Sequence, residues 1–237
     1  ARDHLLFAAM GSCLFSLNFV SFYYSGFYLA SGLMSVVFSL TAVFIPLMSA
    51  IFLRTPLRAN ILMGAAAGVV GIAFVFGPSV IAAEADATGA SGARMAMGLG
   101  LALAGTLCFA TGSLLSGVAG RRGVPLLPMT AFCLFYGLLV CLMLALVRGQ
   151  TFIVDWSARY LGSLAYLVAG PTLSGFAVYL LLVRRIGANR AGYCTVVYPL
   201  VALALSTLFE DFHWTLAAAF GITLVLCGNV LVLRTGR

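Results

Sequence analysis

The amino-acid sequence predicts an all-α fold, a polytopic transmembrane helix bundle of eight helices with an inverted-repeat architecture. Of 237 residues, 63% are hydrophobic and 8% are charged, whereas soluble domains carry about 45–50% apolar and about 25% charged residues. The charged residues separate long uncharged runs, and the arginines alternate between the two sides of those runs as in membrane proteins. A transmembrane β-barrel would instead show segments of roughly ten residues with alternating hydrophobicity.

The uncharged runs predict the number of helices. Residues 5–53 contain no Asp, Glu, Lys, Arg or His. Since about 20 residues cross a bilayer as a helix, this run forms two spans, with a break at Ala30-Ser31-Gly32. Six further runs, each long enough for one span, are residues 59–83, 95–120, 123–147, 160–183, 191–209 and 214–233. Lipid offers the backbone no hydrogen-bond partner, so each span must be a helix.

The basic residues, all of them Arg, predict the orientation because cytoplasmic loops carry an excess of positive charge. Ten arginines fall on one side of the spans: Arg2, Arg54, Arg58, Arg121, Arg122, Arg184, Arg185, Arg190, Arg234 and Arg237. The other side holds Arg94, Arg148 and Arg159 with the acidic Glu84, Asp86, Asp155, Glu210 and Asp211. We expect a multi-pass protein of a bacterial inner membrane with both ends cytoplasmic. Arginines at the ends of apolar runs indicate this topology rather than a nucleic-acid partner.

Two parts of the chain resemble each other. The segment Gly32-Leu-Met-Ser-Val-Val-Phe-Ser-Leu40 aligns with Gly192-Tyr-Cys-Thr-Val-Val-Tyr-Pro-Leu200. Each segment is followed by a span with the same glycine spacing, Gly64 and Gly71 in the first case and Gly221 and Gly228 in the second. The arginine pattern gives the two copies opposite directions across the membrane. Inverted repeats are a common construction of secondary transporters, with the substrate site between the halves; chance similarity of Val-Val-aromatic runs is the competing explanation.

These motifs resemble the EamA-type branch of the drug/metabolite transporter superfamily. The resemblance rests on Ser31-Gly32-Leu33, Val36–Leu40, Gly64, Gly71, Tyr198-Pro199-Leu200, Ser206–Glu210, Trp214-Thr215, Gly221 and Gly228. It implies ten helices in two inverted five-helix repeats, of which this chain holds eight. Residues 1–81 would be a partial first repeat of three helices, 82–95 an extracytoplasmic linker and 96–237 the second repeat. The chain is then a fragment or a naturally short variant.

The sequence departs from the pattern of that family at two places in the first half. Ala42 stands where the family often has Pro, and Arg54-Thr55 stands where it often has Gly-Glu. Only the second half keeps the acidic residue, as Glu210. A role of this carboxylate in gating or coupling would therefore be carried by one repeat alone, together with the helix-breaking Pro199.

Polar and aromatic side chains inside the spans are the candidates for substrate binding. They are Asn18, Phe22, Ser35, Ser39, Thr106, Ser113, Tyr179, Thr195 and Tyr198. Asn18 is the strongest of them, because an amide is costly in lipid and should face the bundle interior, one turn from Phe22. A hydroxyl in a membrane helix can instead bond its own backbone. Pro199 should free a backbone carbonyl one turn earlier, near Thr195.

The predicted function is secondary transport, the export of a small metabolite, amino acid or drug-like solute by alternating access. The alternative is a membrane-embedded assembly or receptor subunit. An intramembrane enzyme is disfavoured because no His lies within a span and no paired Asp or metal-ligand spacing occurs; we expect no catalytic residue, metal or cofactor. The partners are the lipid bilayer and a small-molecule solute.

Two further motifs leave alternatives open. The Gly64-Ala-Ala-Ala-Gly68 motif indicates close helix packing within the chain, with a homodimer as the alternative. Arg184 and Arg185 end the sixth span and are interpreted as an interfacial anchor, with the binding of an anionic substrate as the alternative.

Overall fold

The structure is a computed structural model that describes residues 2–56, 59–85, 90–150, 155–191, 194–210 and 214–234. Within these residues the chain is helical, and eight helical spans, named α1 to α8 in chain order, follow one another. Six spans are long and apolar enough to cross a bilayer, and the last two carry shorter apolar stretches, Val197–Phe209 and Leu216–Val232. The predicted all-α polytopic bundle is confirmed.

Five spans are uninterrupted α-helices. They are α3 (Ala59–Ala85), α4 (Ala90–Arg121), α5 (Leu126–Val147), α7 (Cys194–Phe209) and α8 (Leu216–Arg234). A short helix, Ala188–Ala191, lies between α6 and α7. The break predicted at Ala30-Ser31-Gly32 is present, since α1 ends at Ser25 and α2 begins at Ser31.

Three spans are interrupted inside the bundle. Their segments are Arg2–Ser12, π-helical Cys13–Leu17 and Asn18–Ser25 in α1, Ser31–Ser39 and Thr41–Leu53 in α2, and Ala158–Leu167, π-helical Val168–Gly175 and Phe176–Ile186 in α6. In α2 the Thr41 hydroxyl donates to the carbonyl oxygen of Phe38 at 2.6 Å, so a side chain competes there with the helical hydrogen bonds.

Helices extend into both ends of the stretch 82–95 that connects α3 and α4. Residues 82–85 belong to α3 and residues 90–95 belong to α4, because their alanines favour a helix. Residues 86–89 lie outside the described part of the chain.

Helix α3 packs antiparallel against α8 through the glycines of the internal repeat. A Cβ atom on Gly64 would lie 2.6 Å from the carbonyl oxygen of Gly228, and one on Gly71 would lie 2.6 Å from that of Gly221. Small residues let membrane helices approach this closely. The first glycine of one copy therefore meets the second glycine of the other, as expected for an inverted repeat. Gly68 lies against Leu40 of the same chain, so the GxxxG motif packs within the chain.

The bundle core has two buried clusters. One joins α1, α4, α5 and α6 around Met10, Met129 and Leu180, and the second joins α2, α3 and α8 around Val36 and Val225. Helix α4 contacts α1, α2, α3 and α6 and so lies at the centre of the bundle. The end that holds Arg54, Arg121 and Arg184 is called the arginine-rich end below.

Candidate functional site

A half-open cavity of about 370 Å³ lies between α1, α2, α4, α6 and α7. Its volume falls within the range of about 300–1,000 Å³ that is typical of small-molecule sites. The lining residues are Asn18, Phe19, Phe38, Phe109, Pro171, Gly175, Phe176, Tyr179 and Tyr198. Five spans from both halves of the chain therefore meet at this one cavity.

The two π-helical segments shape the cavity. The segment in α1 ends at Leu17, directly before Asn18 and Phe19, and the segment in α6 contains Pro171 and Gly175. Proline has no N–H to donate, and π-helical turns are frequent at functional sites. Because α1 and α6 are the spans that precede the two copies of the repeat, a distorted backbone borders the cavity at a corresponding span of each half; the two segments adjoin, since the rings of Phe15 and Phe176 lie 4.8 Å apart.

Aromatic rings form most of the wall. The ring of Phe109 lies 4.8 Å from that of Phe38 and 5.1 Å from that of Tyr179. The rings of Phe38 and Tyr198 stack at 6.1 Å with an angle of 21° between their planes. These two residues occupy the same position in the two copies of the repeat, so the repeat brings them together across the cavity.

Asn18 and the tyrosine hydroxyls add polar groups to this apolar wall. Asn18 is 5% exposed, and its Oδ1 atom has no hydrogen-bond partner. The Tyr179 hydroxyl donates to Oγ of Ser113 at 3.1 Å. A buried amide oxygen without a partner costs about 1–3 kcal/mol, which a bound solute with a donor group would recover.

A carboxylate joins α2 to α7 at the end opposite the arginines. The backbone N–H of Ser31 donates to Oε2 of Glu210 at 2.9 Å, and the Ser206 hydroxyl donates to the same oxygen at 2.8 Å. Hydrogen bonds from the Ser31 side chain, from the Ser206 hydroxyl and from the Ser31 backbone lower the pKa of Glu210. Glu210 is ionised at neutral pH in this position, and its negative charge lies at the N-terminus of α2, where the helix dipole favours it. We call these three residues the Glu210 clasp.

A second cavity, of about 550 Å³, lies at the arginine-rich end between α2, α4, α6 and the short helix. We call it the arginine vestibule, since Arg121, Arg184 and Arg190 line it together with Ser49, Leu53, Leu114, Gly117, Gly120, Val183, Ile186, Gly187 and Ala188. The bundle is thus tied together at one end by the Glu210 clasp and holds a polar cavity at the other.

In the described part of the chain, two thiols, those of Cys13 and Cys108, hydrogen-bond to each other. The cysteines of this part, Cys13, Cys108, Cys133, Cys141 and Cys227, are free. Among the described residues there is no group of three or more His, Cys, Asp or Glu that could hold a metal ion.

The model of the EamA-like transporter family matches residues 96–234, which is more than half of the chain. The chain belongs to the EamA-like transporter family. It is therefore a multi-pass membrane transporter, and the family resemblance stated from the repeat motifs is confirmed.

Two relatives of this EamA-like chain come from Bacillus subtilis (strain 168) and are named as uncharacterized transporters. The chain is 22% identical to YoaV over 234 residues, which cover 96% of this chain and 75% of YoaV. It is 24% identical to YvbV over 205 residues, which cover 86% of this chain and 64% of YvbV. The chain thus spans three quarters of one relative and under two thirds of the other.

One solved crystal structure resembles the EamA-like chain with a TM-score of 0.59 and 17% sequence identity. The match covers 99% of this chain and 87% of that chain. At this identity the likeness shows the fold alone.

The structure brings several of the predicted site residues of this EamA-like transporter together. Asn18, Tyr179 and Tyr198 line the central cavity, and Ser113 accepts the hydrogen bond of Tyr179. Phe22 lies behind the wall, where its ring meets that of Phe38 edge-on at 5.6 Å.

Other predicted residues lie away from the cavity lining. The hydroxyls of Ser35, Ser39 and Thr106 donate to the carbonyl oxygens of Gly32, Val36 and Ala102 in their own helices, and none of the three is among the lining residues. Pro199 is buried within α7. The side chain of Thr195 lies outside the described residues.

Phe109, Phe176 and Pro171 line the cavity but are not among the substrate-binding residues predicted from the sequence. A proline in the middle of an apolar run was the available signal, because Pro171 must interrupt the hydrogen bonds of its helix. No such signal distinguished Phe109 and Phe176, since aromatic residues are common throughout membrane helices.

Proposed function

We propose that this EamA-like chain is a secondary transporter that exports a small, partly apolar solute by alternating access, and that the central cavity binds the solute. The observation that carries the proposal is the unpartnered Oδ1 of Asn18 inside an aromatic cavity. Small-molecule binding sites in proteins combine an apolar wall with a few polar groups that fix the orientation of the ligand. The cavity also lies between the two copies of the repeat, where inverted-repeat transporters hold their substrates.

The two ends of the bundle support an alternating-access cycle. Between α2 and α7, the Glu210 clasp and the contact of Gly32 with Leu203 and Ser206 close the end opposite the arginines. The arginine vestibule leaves the other end open. We infer that the protein is in an inward-open state, with the arginine-rich end and both chain ends in the cytoplasm of a bacterial cell and the protein in the inner membrane. Export would then require the clasp to open.

We propose that residues 1–81 are three helices of a first repeat, that 82–95 connect the halves and that 96–237 form a second repeat of five. The contacts of α4 support this division. Helix α4 covers α1 and α2, whereas their repeat counterparts α6 and α7 are largely exposed. In a ten-helix transporter two additional helices of the first repeat would cover α6 and α7 in the same way.

Replacing Asn18 by leucine is expected to slow transport at least about fivefold while the protein remains folded. Leucine has a similar size but offers no hydrogen bond, and the loss of a buried hydrogen bond to a solute costs about 1–3 kcal/mol. The measurement is efflux from proteoliposomes that are preloaded with a mixture of amino acids, organic acids and ethidium, followed by mass spectrometry.

The matched control is Thr223→Val. The Thr223 hydroxyl donates to the carbonyl oxygen of Ala219 on its own helix, far along the chain from the cavity lining, so this variant should transport like the wild type. Equal efflux by Asn18→Leu and the wild type would remove Asn18 from the site. A wild type that releases no solute faster than protein-free liposomes would overturn the transport proposal itself.

A further inference from the structure

The arginine vestibule gathers three arginines around one cavity. Arg121, Arg184 and Arg190 line it, and neither Asp nor Glu is among the described lining residues. Its other side chains are small or apolar, apart from Ser49. Arg121 and Arg184 therefore have no carboxylate partner among the described residues that line the vestibule.

Arg184 is held so that part of its guanidinium is unsatisfied. Its Nε atom is buried without a hydrogen-bond partner, and Nη2 reaches only the Met129 sulfur at 3.4 Å. A thioether is a weak acceptor. The stem of the side chain lies against α4, where a Cβ atom on Gly120 would be 3.3 Å from Cγ of Arg184. Glycine at position 120 thus leaves room for the stem of Arg184 against α4.

The vestibule and the central cavity are both lined by α4 and α6. Tyr179 lines the cavity and Arg184 lines the vestibule; the two residues are five positions apart, which corresponds to about 7.5 Å along a helix. The Tyr179 hydroxyl donates to Oγ of Ser113 on α4 at 3.1 Å. A solute with an aromatic or aliphatic body and a short chain that ends in a charged group can span this distance.

We propose, building on the proposed function, that the transported solute is an amphipathic organic anion whose carboxylate or other oxyanion binds in the arginine vestibule. Arginine is suited to this role because its planar group donates two parallel hydrogen bonds to an oxyanion and keeps its charge when partly buried. The oxyanion satisfies Nε of Arg184, and the apolar body occupies the aromatic cavity beside Asn18. Vestibule and cavity are then two parts of one binding site.

The same chemistry would also bind the headgroup of an anionic lipid. The position of the vestibule favours the solute, because buried residues of α4 and α6 inside the bundle, Leu114 and Val183, form its inner wall. The phosphatidylglycerol experiment below distinguishes a bound solute from a bound lipid headgroup.

The experiment compares 4-phenylbutyrate with its neutral amide, 4-phenylbutyramide, as ligands of the full chain in nanodiscs of phosphatidylcholine alone. Both probes have the same apolar body and differ in charge, so the ratio of their Kd values isolates the contribution of the oxyanion. We expect the wild type to bind the anion at least about tenfold more tightly than the amide. Arg184→Gln should bring the ratio close to one.

Arg185→Gln is the matched control, because it removes the same charge one residue further on, from an exposed side chain that does not line the vestibule. It should keep the anion preference of the wild type. If Arg184→Gln does not fold, Arg121→Gln and Arg122→Gln form a second pair, since only Arg121 lines the vestibule. The proposal would be overturned if the two variants of a pair lost the preference for the anion to the same extent. It would also be overturned if the wild type bound the anion and the amide equally.

Anionic lipid provides the second arm. Replacing about 20% of the phosphatidylcholine by phosphatidylglycerol should leave the Kd of 4-phenylbutyrate within about twofold. Displacement of the probe by this lipid in the wild type but not in Arg184→Gln would assign the vestibule to a headgroup and overturn the solute proposal. A different outcome is that the wild type binds the anion and the amide equally well, with Asn18→Leu raising the Kd of the amide. In that case the central cavity remains a solute site and only the inference about the oxyanion fails.

Discussion

The Gly71→Ala variant is expected to lose much of its thermal stability, because its new Cβ atom has no space between α3 and α8. That atom would lie 2.6 Å from the carbonyl oxygen of Gly221 and 3.0 Å from the backbone nitrogen of Val225. Both contacts are backbone atoms of the neighbouring helix. No side-chain rotation can relieve them, so the two helices must move apart.

The expected cost follows from the way membrane helices associate. Their attraction depends on close packing rather than on water exclusion, and overpacking a well-packed interface costs about 1–3 kcal/mol, occasionally more. For a chain of this length each kcal/mol lowers Tm by roughly 2–4 °C. We therefore expect a decrease of about 2–12 °C in detergent, measured by fluorescence-detected size exclusion after heating at a series of temperatures.

Gly77→Ala is the control on the same helix. No heavy atom lies within 4 Å of a Cβ atom at Gly77, and alanine is more favourable than glycine in a helix by up to about 1 kcal/mol. This variant should melt at or slightly above the wild-type temperature. If Gly71→Ala and Gly77→Ala had the same Tm, the close approach of α3 and α8 would be wrong. The pairing of the repeat glycines would then be wrong as well.

The number of spans was predictable from the sequence because charge is costly in a bilayer. Long runs without a charge had to cross the membrane, and their lengths gave eight helices. The helix break before Ser31 followed from the length limit on a single span. The glycine pairs of α3 and α8 were predictable as repeat positions, whereas their contact across the two helices is seen only in the structure.

The shape of the cavity was less predictable, since it depends on backbone geometry that no side-chain pattern specifies. The π-helical segment Cys13–Leu17 contains no proline or glycine, so nothing in its sequence marks the distortion. Ser39 illustrates a second difficulty. Its hydroxyl accepts a hydrogen bond from Nδ2 of Asn229 at 2.9 Å, a partner 190 residues away that only tertiary packing reveals. Asn18 could be chosen because an amide in an apolar run needs a polar partner wherever it packs.

Neutralising Glu210 is expected to loosen the end of the bundle opposite the arginines. Glu210→Gln retains the size of the side chain but loses the charge that accepts hydrogen bonds from Ser31 and Ser206. Hydrogen bonds to a charged group contribute about 1.5–3 kcal/mol when protected, and solvent exposure reduces this to roughly 1 kcal/mol, about a fivefold shift in population. The share of molecules with α2 and α7 separated at this end should rise accordingly.

The pH dependence of the wild type should have the same origin. The hydrogen bonds favour the ionised form and lower the pKa of Glu210, so the clasp is intact at neutral pH and is lost only as the pH falls through that lowered pKa. Protonation should then reproduce the effect of the glutamine variant. Glu210→Gln itself should show no further change over the same acidic range.

The measurement is the distance between spin labels at Phe27 and Leu208, two exposed positions near the clasp. Attachment through p-acetylphenylalanine leaves the native cysteines in place. Asp155→Asn removes an equal charge at the same end from a carboxylate that bonds only to nearby Ser157 in the described chain, so its distances should match the wild type. Ser206→Ala, which removes one of the hydrogen bonds, should fall between the wild type and Glu210→Gln. An unchanged distance in Glu210→Gln at neutral pH would show that other contacts between α2 and α7, such as Gly32 against Leu203, keep this end closed without the carboxylate.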